Sequence, residues 1–237
     1  MKVLVIMPTF NEAGNIHHAV EELFKYNPAV DLLIVDDDSP DGTGVLADQL
    51  ASTNSRIKVM HRKEKQGLGA AYIAGFKHAF ETDYDFVVEM DADGSHRAED
   101  LPKLLAACES DDLVIGSRYV KGGSTENWPL HRQWLSKGGN FFAKLMLGTK
   151  VNDMTAGFRV FSVPFLKTMN LETINARGYS FQIEMAYRTI QQGGRTEEVP
   201  IVFIEREVGE SKMSRAIVLE ALVLMTKFGI RRLFRRN

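Results

Sequence analysis

The chain has 237 residues, a formal net charge of −2 and 44% apolar residues, which fits one large α/β domain with a proper core. A near-neutral balance leaves no global footprint for nucleic acid, so no such partner is expected. The single cysteine, Cys108, cannot close an internal disulfide, and a reducing compartment is expected.

The apolar start, residues 1–8, is too short for a secretory h-region and no small-residue cleavage site follows, so it reads as a first core strand. Runs rich in Val, Ile and Leu predict strands at 2–7, 31–35, 57–60, 85–90 and 112–116. Helical patterns at 12–26, 42–51, 69–80 and 98–108 lie between them. This alternation predicts a mostly parallel sheet covered by helices on both faces, with ligands beyond the carboxyl ends of the strands. Those ends are polar. The first runs into Pro8-Thr9-Phe10-Asn11-Glu12, the second into Asp36-Asp37-Asp38-Ser39-Pro40-Asp41-Gly42-Thr43, and the fourth into Met90-Asp91-Ala92-Asp93-Gly94-Ser95-His96.

Asp91 and Asp93 stand one residue apart at a strand end and can converge on one point, where two carboxylates repel unless a cation lies between them. Hard oxygen ligands without a Cys or His cluster favour Mg²⁺ or Mn²⁺, ions that keep positions open for phosphate. Alone, the triplet reads equally as a solvated acidic turn; acidic ends on three strands of one rim favour a metal–diphosphate site. The glycines around Gly67 and Gly69 lack the third glycine of a dinucleotide fingerprint and read as a helix start with small residues for close packing. No P-loop and no nucleophile elbow is present.

Beyond Gly116 the alternation breaks. Residues 118–129 read as a long loop, a frequent place for function. Arg118, Arg132 and the Ser136 hydroxyl form a candidate phosphate-binding set, because guanidinium forks suit phosphate; solvated surface arginines are the alternative. A helix is expected at 139–147, then Asp153 in a turn, either as a cap or as a charge aimed at the site. A helix at 181–190 and a strand at 197–204 follow. Arg206 and Lys212 flank a glycine in a charged loop, which alone reads as solvated. The last stretch, 214–237, reads as one helix with Ser214 as N-cap. Its Glu220, Lys227, Arg231 and Arg235 share one stripe and the remainder is apolar. Such a helix suits a membrane interface, or packs on the domain. No apolar run approaches the roughly 20 residues of a membrane span.

Together these segments, with Gly116-Ser117-Arg118-Tyr119, Glu126-Asn127-Trp128-Pro129 and Gly209-Glu210-Ser211-Lys212, resemble the dolichol-phosphate (polyprenol-phosphate) mannose synthases over nearly the whole chain. These are inverting glycosyltransferases of family 2 with a GT-A fold. The resemblance implies transfer of mannose from GDP-mannose to a polyprenyl phosphate, with Mg²⁺ or Mn²⁺ as cofactor. It implies that Pro8, Phe10, Glu12, Val35 and Asp37 line the nucleoside pocket. Asp91, Ala92, Asp93 and Ser95 would hold metal and diphosphate, with Asp93 central to catalysis. Arg118, Arg132 and Ser136 would receive the acceptor phosphate, and Arg206 and Lys212 would close over the donor. Phe10 stands where a Tyr is frequent, and Ser95 where some members have Gln. The chain looks like the single-domain type: a catalytic domain over 1–213 and a basic amphipathic helix over 214–237, peripheral on the cytoplasmic face of the membrane. It would reach lipid by that tail or through a separate membrane-anchor protein. Glucosyl transfer from UDP-glucose to the same lipid is the nearest rival. A sugar-1-phosphate nucleotidyltransferase would need a Gly-rich signature after strand one, which is missing.

Overall fold

The computed structural model describes residues 1–174, 178–205 and 215–234. Among these, seven strands make the main sheet: β1 (Val3–Thr9), β2 (Asp31–Asp36), β3 (Ile57–His61), β4 (Phe86–Glu89), β5 (Leu113–Ser117), β7 (Arg159–Ser162) and β8 (Thr196–Pro200). Their order across the sheet is β3-β2-β1-β4-β7-β5-β8. β1, β2, β3 and β4 are mutually parallel, as is β5 with β8, whereas β7 runs antiparallel between β4 and β5. A small second sheet pairs β6 (Ser124–Glu126) with β9 (Val202–Ile204). The single strand expected at 197–204 is therefore two strands in two sheets. The antiparallel β7 was not expected: it is four residues long and begins with an arginine, so it carries little apolar signal.

Side chains along the parallel strands alternate between two cores. Leu4, Ile6, Leu33 and Val35 face one, and Val5, Met7, Leu32 and Ile34 face the other. Both faces are covered, so the strands read as continuous apolar runs. The first core is closed by α3 (Leu68–Phe80), α5 (Leu130–Leu147), α7 (Tyr179–Gln191) and α8 (Arg215–Phe234). The second is closed by α1 (Ile16–Tyr26), α2 (Thr43–Thr53) and α4 (Leu101–Ala107). A one-turn helix, α6 (Val163–Leu166), follows β7. α3 starts at Leu68 and buries the small residues Gly69 and Ala71, as expected, and further along it a Cβ at Gly75 would lie 2.6 Å from Ile6.

Two helices differ from expectation in ways that matter for the site. α5 begins at Leu130, directly after Pro129, and runs for 18 residues. The Gly138-Gly139 pair hid its first half, and it carries Arg132 and Ser136 on a helix rather than a loop. α8 packs against α5 and α7: Phe228 stacks on Tyr187 with centroids 4.9 Å apart, and a Cβ at Gly229 would lie 2.6 Å from Met146. Its opposite side leaves Leu219, Val223, Ile230 and Leu233 exposed. The helix thus packs on the domain along one side, as one of the two expectations had it, and keeps an exposed apolar side.

Candidate active site

The carboxyl ends of β1, β2 and β4 share one rim because the three strands are adjacent and parallel. The acids after β2 are mostly spent on the loop itself. Asp36 accepts hydrogen bonds from Thr9 Oγ1 at 2.9 Å and Ser39 Oγ at 2.6 Å. Asp41 accepts from Thr43 Oγ1 at 2.6 Å and the Ala13 N–H at 3.0 Å. Burial pushes Asp41 up, but these hydrogen bonds outweigh it and hold the carboxyl below its ordinary value. Asp37 accepts from Arg62 at 2.6 Å; burial is the stronger influence there and raises its pKa.

A cavity of about 470 Å³ opens at this rim, walled by Pro8, Glu12, Asp91, Ala92, Asp93, Ser95, Arg118 and Arg132 among others. Of the expected nucleoside residues, Pro8 and Glu12 line it. Val35 is fully buried in the core. Phe10 lies beneath the Lys65 ammonium, 3.6 Å from ring centre to nitrogen, and Lys65 itself lines the cavity. Asp37, held by Arg62, stands off the wall. Arg206 and Lys212 lie outside the described residues.

Asp91 and Asp93 both reach the cavity, and each is oriented by a neighbour. The Tyr72 hydroxyl donates to Asp91 Oδ1 at 3.1 Å, and the Asp91 N–H donates to His96 Nδ1 at 3.0 Å. Ser95 donates to Asp93 Oδ1 twice, from its N–H at 3.1 Å and its hydroxyl at 2.6 Å. Gly94 turns the chain between them at φ 76°, a conformation costly for any other residue. Ser95 therefore stands as the orienting partner of Asp93 here. Among the described residues no third His, Cys, Asp or Glu joins the two aspartates in a metal-binding cluster. Two carboxylates with open positions fit an octahedral ion that takes its other ligands from diphosphate and water.

Behind the aspartates lie a buried glutamate and a buried arginine that sequence reading did not single out. Glu89 faces Arg159 across the β4–β7 ladder, and both are fully buried. Arg159 donates to the Gln182 carbonyl at 2.6 Å and the Met154 carbonyl at 2.8 Å. Burial pushes Glu89 up to about 8, with Arg159 only partly opposing it. A glutamate in the unfolded chain titrates near 4.5, so the folded state holds this proton more tightly. The stability from this group is fully present below that value and is lost as pH rises to about 8. Wild-type protein is therefore expected to lose a few kcal/mol between about pH 5 and 8 from this group, and Glu89→Gln to lose much less. Denaturant melts across that range, without added metal, check the difference; parallel curves would refute it.

Arg118, Arg132 and Ser136 do come together, on the wall of a second cavity of about 410 Å³. Neither arginine is solvated. Asp153, left open from sequence, is the partner of Arg118: it accepts from Arg118 Nε at 2.7 Å, Nη2 at 2.6 Å and the backbone N–H at 3.0 Å. Burial raises Asp153, but the Arg118 charge and hydrogen bonds outweigh it and hold the carboxyl below the ordinary range. Thr155 Oγ1 accepts from Arg118 at 2.8 Å and from Asn140 at 3.1 Å. Arg132 pairs with Glu205 and lies over the Trp128 ring at 4.2 Å. Ser136 Oγ accepts from the Tyr119 hydroxyl at 2.7 Å. Away from the arginines this cavity is apolar, walled by Trp134, Leu135, Phe142 and Ile183 and by Val218 and Leu222 of α8. Arg118, Arg132, Thr155 and Ile217 border both cavities.

Comparison with known proteins agrees with this architecture. The chain is 49% identical over 230 residues to the undecaprenyl-phosphate mannosyltransferase of Micrococcus luteus, covering 97% of this chain and 95% of that protein. It is 47% identical over 232 residues to the polyprenol monophosphomannose synthase of Mycolicibacterium smegmatis, covering 97% and 88%. In fold it is similar to glucosyl-3-phosphoglycerate synthase from Mycobacterium tuberculosis, solved with Mn²⁺, UDP and phosphoglyceric acid: TM-score 0.71, 18% identity, 96% of this chain and 78% of that one. It is also similar to a mannosyltransferase from Pyrobaculum calidifontis solved with GDP-Man and Mn²⁺: TM-score 0.60, 16% identity, 99% and 74%. The glycosyl transferase family 2 profile matches residues 4–169. With its GT-A architecture and near full-length likeness to polyprenyl-phosphate mannosyltransferases, the chain belongs to glycosyl transferase family 2.

Proposed function

We propose that this protein transfers mannose from GDP-mannose to a polyprenyl phosphate with inversion, giving polyprenyl-phosphate β-mannose and GDP. One observation carries the reading: a cavity edged by two aspartates and a second, more strongly apolar cavity meet at Arg118 and Arg132. A nucleotide sugar suits the first and a prenyl chain the second, so the phosphate arrives at the arginines between them. A phosphate monoester has a second pKa near about 6 and is largely dianionic at neutral pH, so it needs no protein base to attack. Asp91 and Asp93 would hold Mg²⁺ or Mn²⁺, which would neutralise the departing diphosphate. Arg132 and Ser136, on a rigid helix, orient the attacking oxygen toward the sugar. The names of the curated relatives support mannose and a polyprenyl phosphate. The test is to incubate the protein with Mn²⁺, labelled GDP-mannose and polyprenyl phosphate and follow label into the lipid phase. Competition by GDP but not UDP is expected; the reverse would favour the glucosyl rival.

The acceptor is a membrane lipid, while no helix among the described residues is long and apolar enough to cross a membrane. We place the protein on the membrane surface through α5 and α8 together. On α5, Leu130, Trp134, Phe141 and Leu145 are 65–74% exposed, and their spacing puts them on one helix face. Exposed Leu219, Val223, Ile230 and Leu233 extend this apolar surface along α8, and Lys137, Lys144, Lys227 and Arg231 are exposed on the same two helices. Such a surface suits anionic head groups. Phe141→Ser with Leu145→Ser is expected to lower co-sedimentation with anionic vesicles at least about tenfold, since two apolar side chains lose their burial. Transfer to a short detergent-soluble acceptor should persist. Unchanged sedimentation would assign membrane delivery to a partner protein.

A further inference from the structure

The two arginines between the cavities each meet a carboxylate, but the pairs are built differently. Asp153 is wholly buried and is fixed by three bonds from Arg118 and by Asn140. It cannot leave without stranding a buried charge. Glu205 follows β9 directly, held through its backbone N–H, which donates to the Glu126 carbonyl at 3.1 Å. Its side chain is 24% exposed, and its carboxylate has Arg132 as its partner among the described residues. Arg132 Nη1 reaches both carboxylate oxygens while the guanidinium rests on Trp128. The ring would keep the guanidinium in place if the carboxylate moved away.

Building on the reading of Arg132 as an acceptor-phosphate ligand, we propose that Glu205 is a displaceable internal anion. It balances Arg132 while the acceptor site is empty and yields the guanidinium fork to a phosphate monoester. A carboxylate and a phosphate compete for the same donors, and two anions on one guanidinium repel. A dianion displaces the carboxylate more readily than a singly charged anion does. Glu205 thus sets the site's selectivity for a terminal phosphate over the phosphodiesters of surrounding lipids.

The isosteric Glu205→Gln variant of the full chain tests this, with inorganic phosphate as the probe in calorimetry. Removing one like charge at a partly screened site should tighten phosphate binding about tenfold. The KM for polyprenyl phosphate should fall with it, GDP affinity should stay unchanged, and phosphodiester lipids should become better inhibitors. A fixed support for Arg132 demands the opposite sign: weaker phosphate binding and a higher KM. That result, unchanged phosphate affinity, or a variant that does not fold would each overturn the proposal. Tightened phosphate binding in a protein that moves no mannose to lipid would instead overturn the proposed function and leave the role of Glu205 in place.

Discussion

Asp93→Ala is expected to abolish transfer, lowering the rate by at least about 10³-fold, because a charge stabiliser at the departing diphosphate supplies several kcal/mol. Asp91 and Asp93 are the acidic pair at the end of β4, and no third such ligand stands ready to compensate among the described residues. The fold should survive. The side chain sits at the cavity wall, and its bonds with Ser95, two residues away, are local to the turn and worth about 1 kcal/mol each. Two measurements separate the causes: a thermal melt for the fold, and GDP calorimetry with and without Mn²⁺ for the metal. Metal should strengthen GDP binding in the wild type and not in the variant, and EDTA should reproduce the loss of activity in the wild type. Full activity in the variant, or in metal-stripped enzyme, would refute a metal role for this aspartate.

Asp153→Ala is expected to destabilise the fold by about 3–5 kcal/mol, the usual consequence of breaking one half of a buried ion pair. Arg118 would be left 4% exposed with its bidentate partner gone. The same holds for Arg118→Ala, which revises what sequence alone suggested. Read as a free phosphate ligand, Arg118 could be removed with little effect beyond acceptor use; as the partner of Asp153 it also holds the β5 exit to the turn before β7. The pH dependence has a definite sign. The folded carboxyl titrates below its ordinary 3.8, so the pair's contribution is present above that value and lost as pH falls through the lower folded value. Arg118→Met with Asp153→Leu discriminates between support and binding. Replacing both charges by apolar groups should restore most of the stability, because no ion is left unpaired. Denaturant titration reads stability, and transfer assays read acceptor use. If the double variant regains full transfer as well, Arg118 is a structural residue alone and the acceptor phosphate rests on Arg132 and Ser136.

Much of this protein was legible in its sequence because the signals are local. Apolar runs ending in Pro8, Asp36 and Asp91 announced parallel strands, and adjacency of parallel strands brings their carboxyl ends to one rim without further information. The aspartates needed only their spacing and the strand before them. Other features depend on contacts between distant positions. Arg118 and Asp153 are 35 residues apart and Arg132 and Glu205 are 73 apart, so sequence singled out the arginines and Asp153 but neither the pairing of Arg118 with Asp153 nor the presence of Glu205 beside Arg132. The first half of α5 was hidden because helix propensity at Gly138-Gly139 is poor, and packing of Asn140, Ala143 and Leu147 against the core overrides it. Antiparallel β7 inserts centrally through ladder bonds to β4 and β5, which no period within four residues can reveal. The charge stripe of the final helix was readable, yet only its packing on α5 and α7 decides which apolar side chains are buried. The meeting of an aspartate-edged cavity and a more strongly apolar one at two arginines is likewise a property of the assembled fold, since burial and charge balance are set by neighbours that the chain brings together only when it closes.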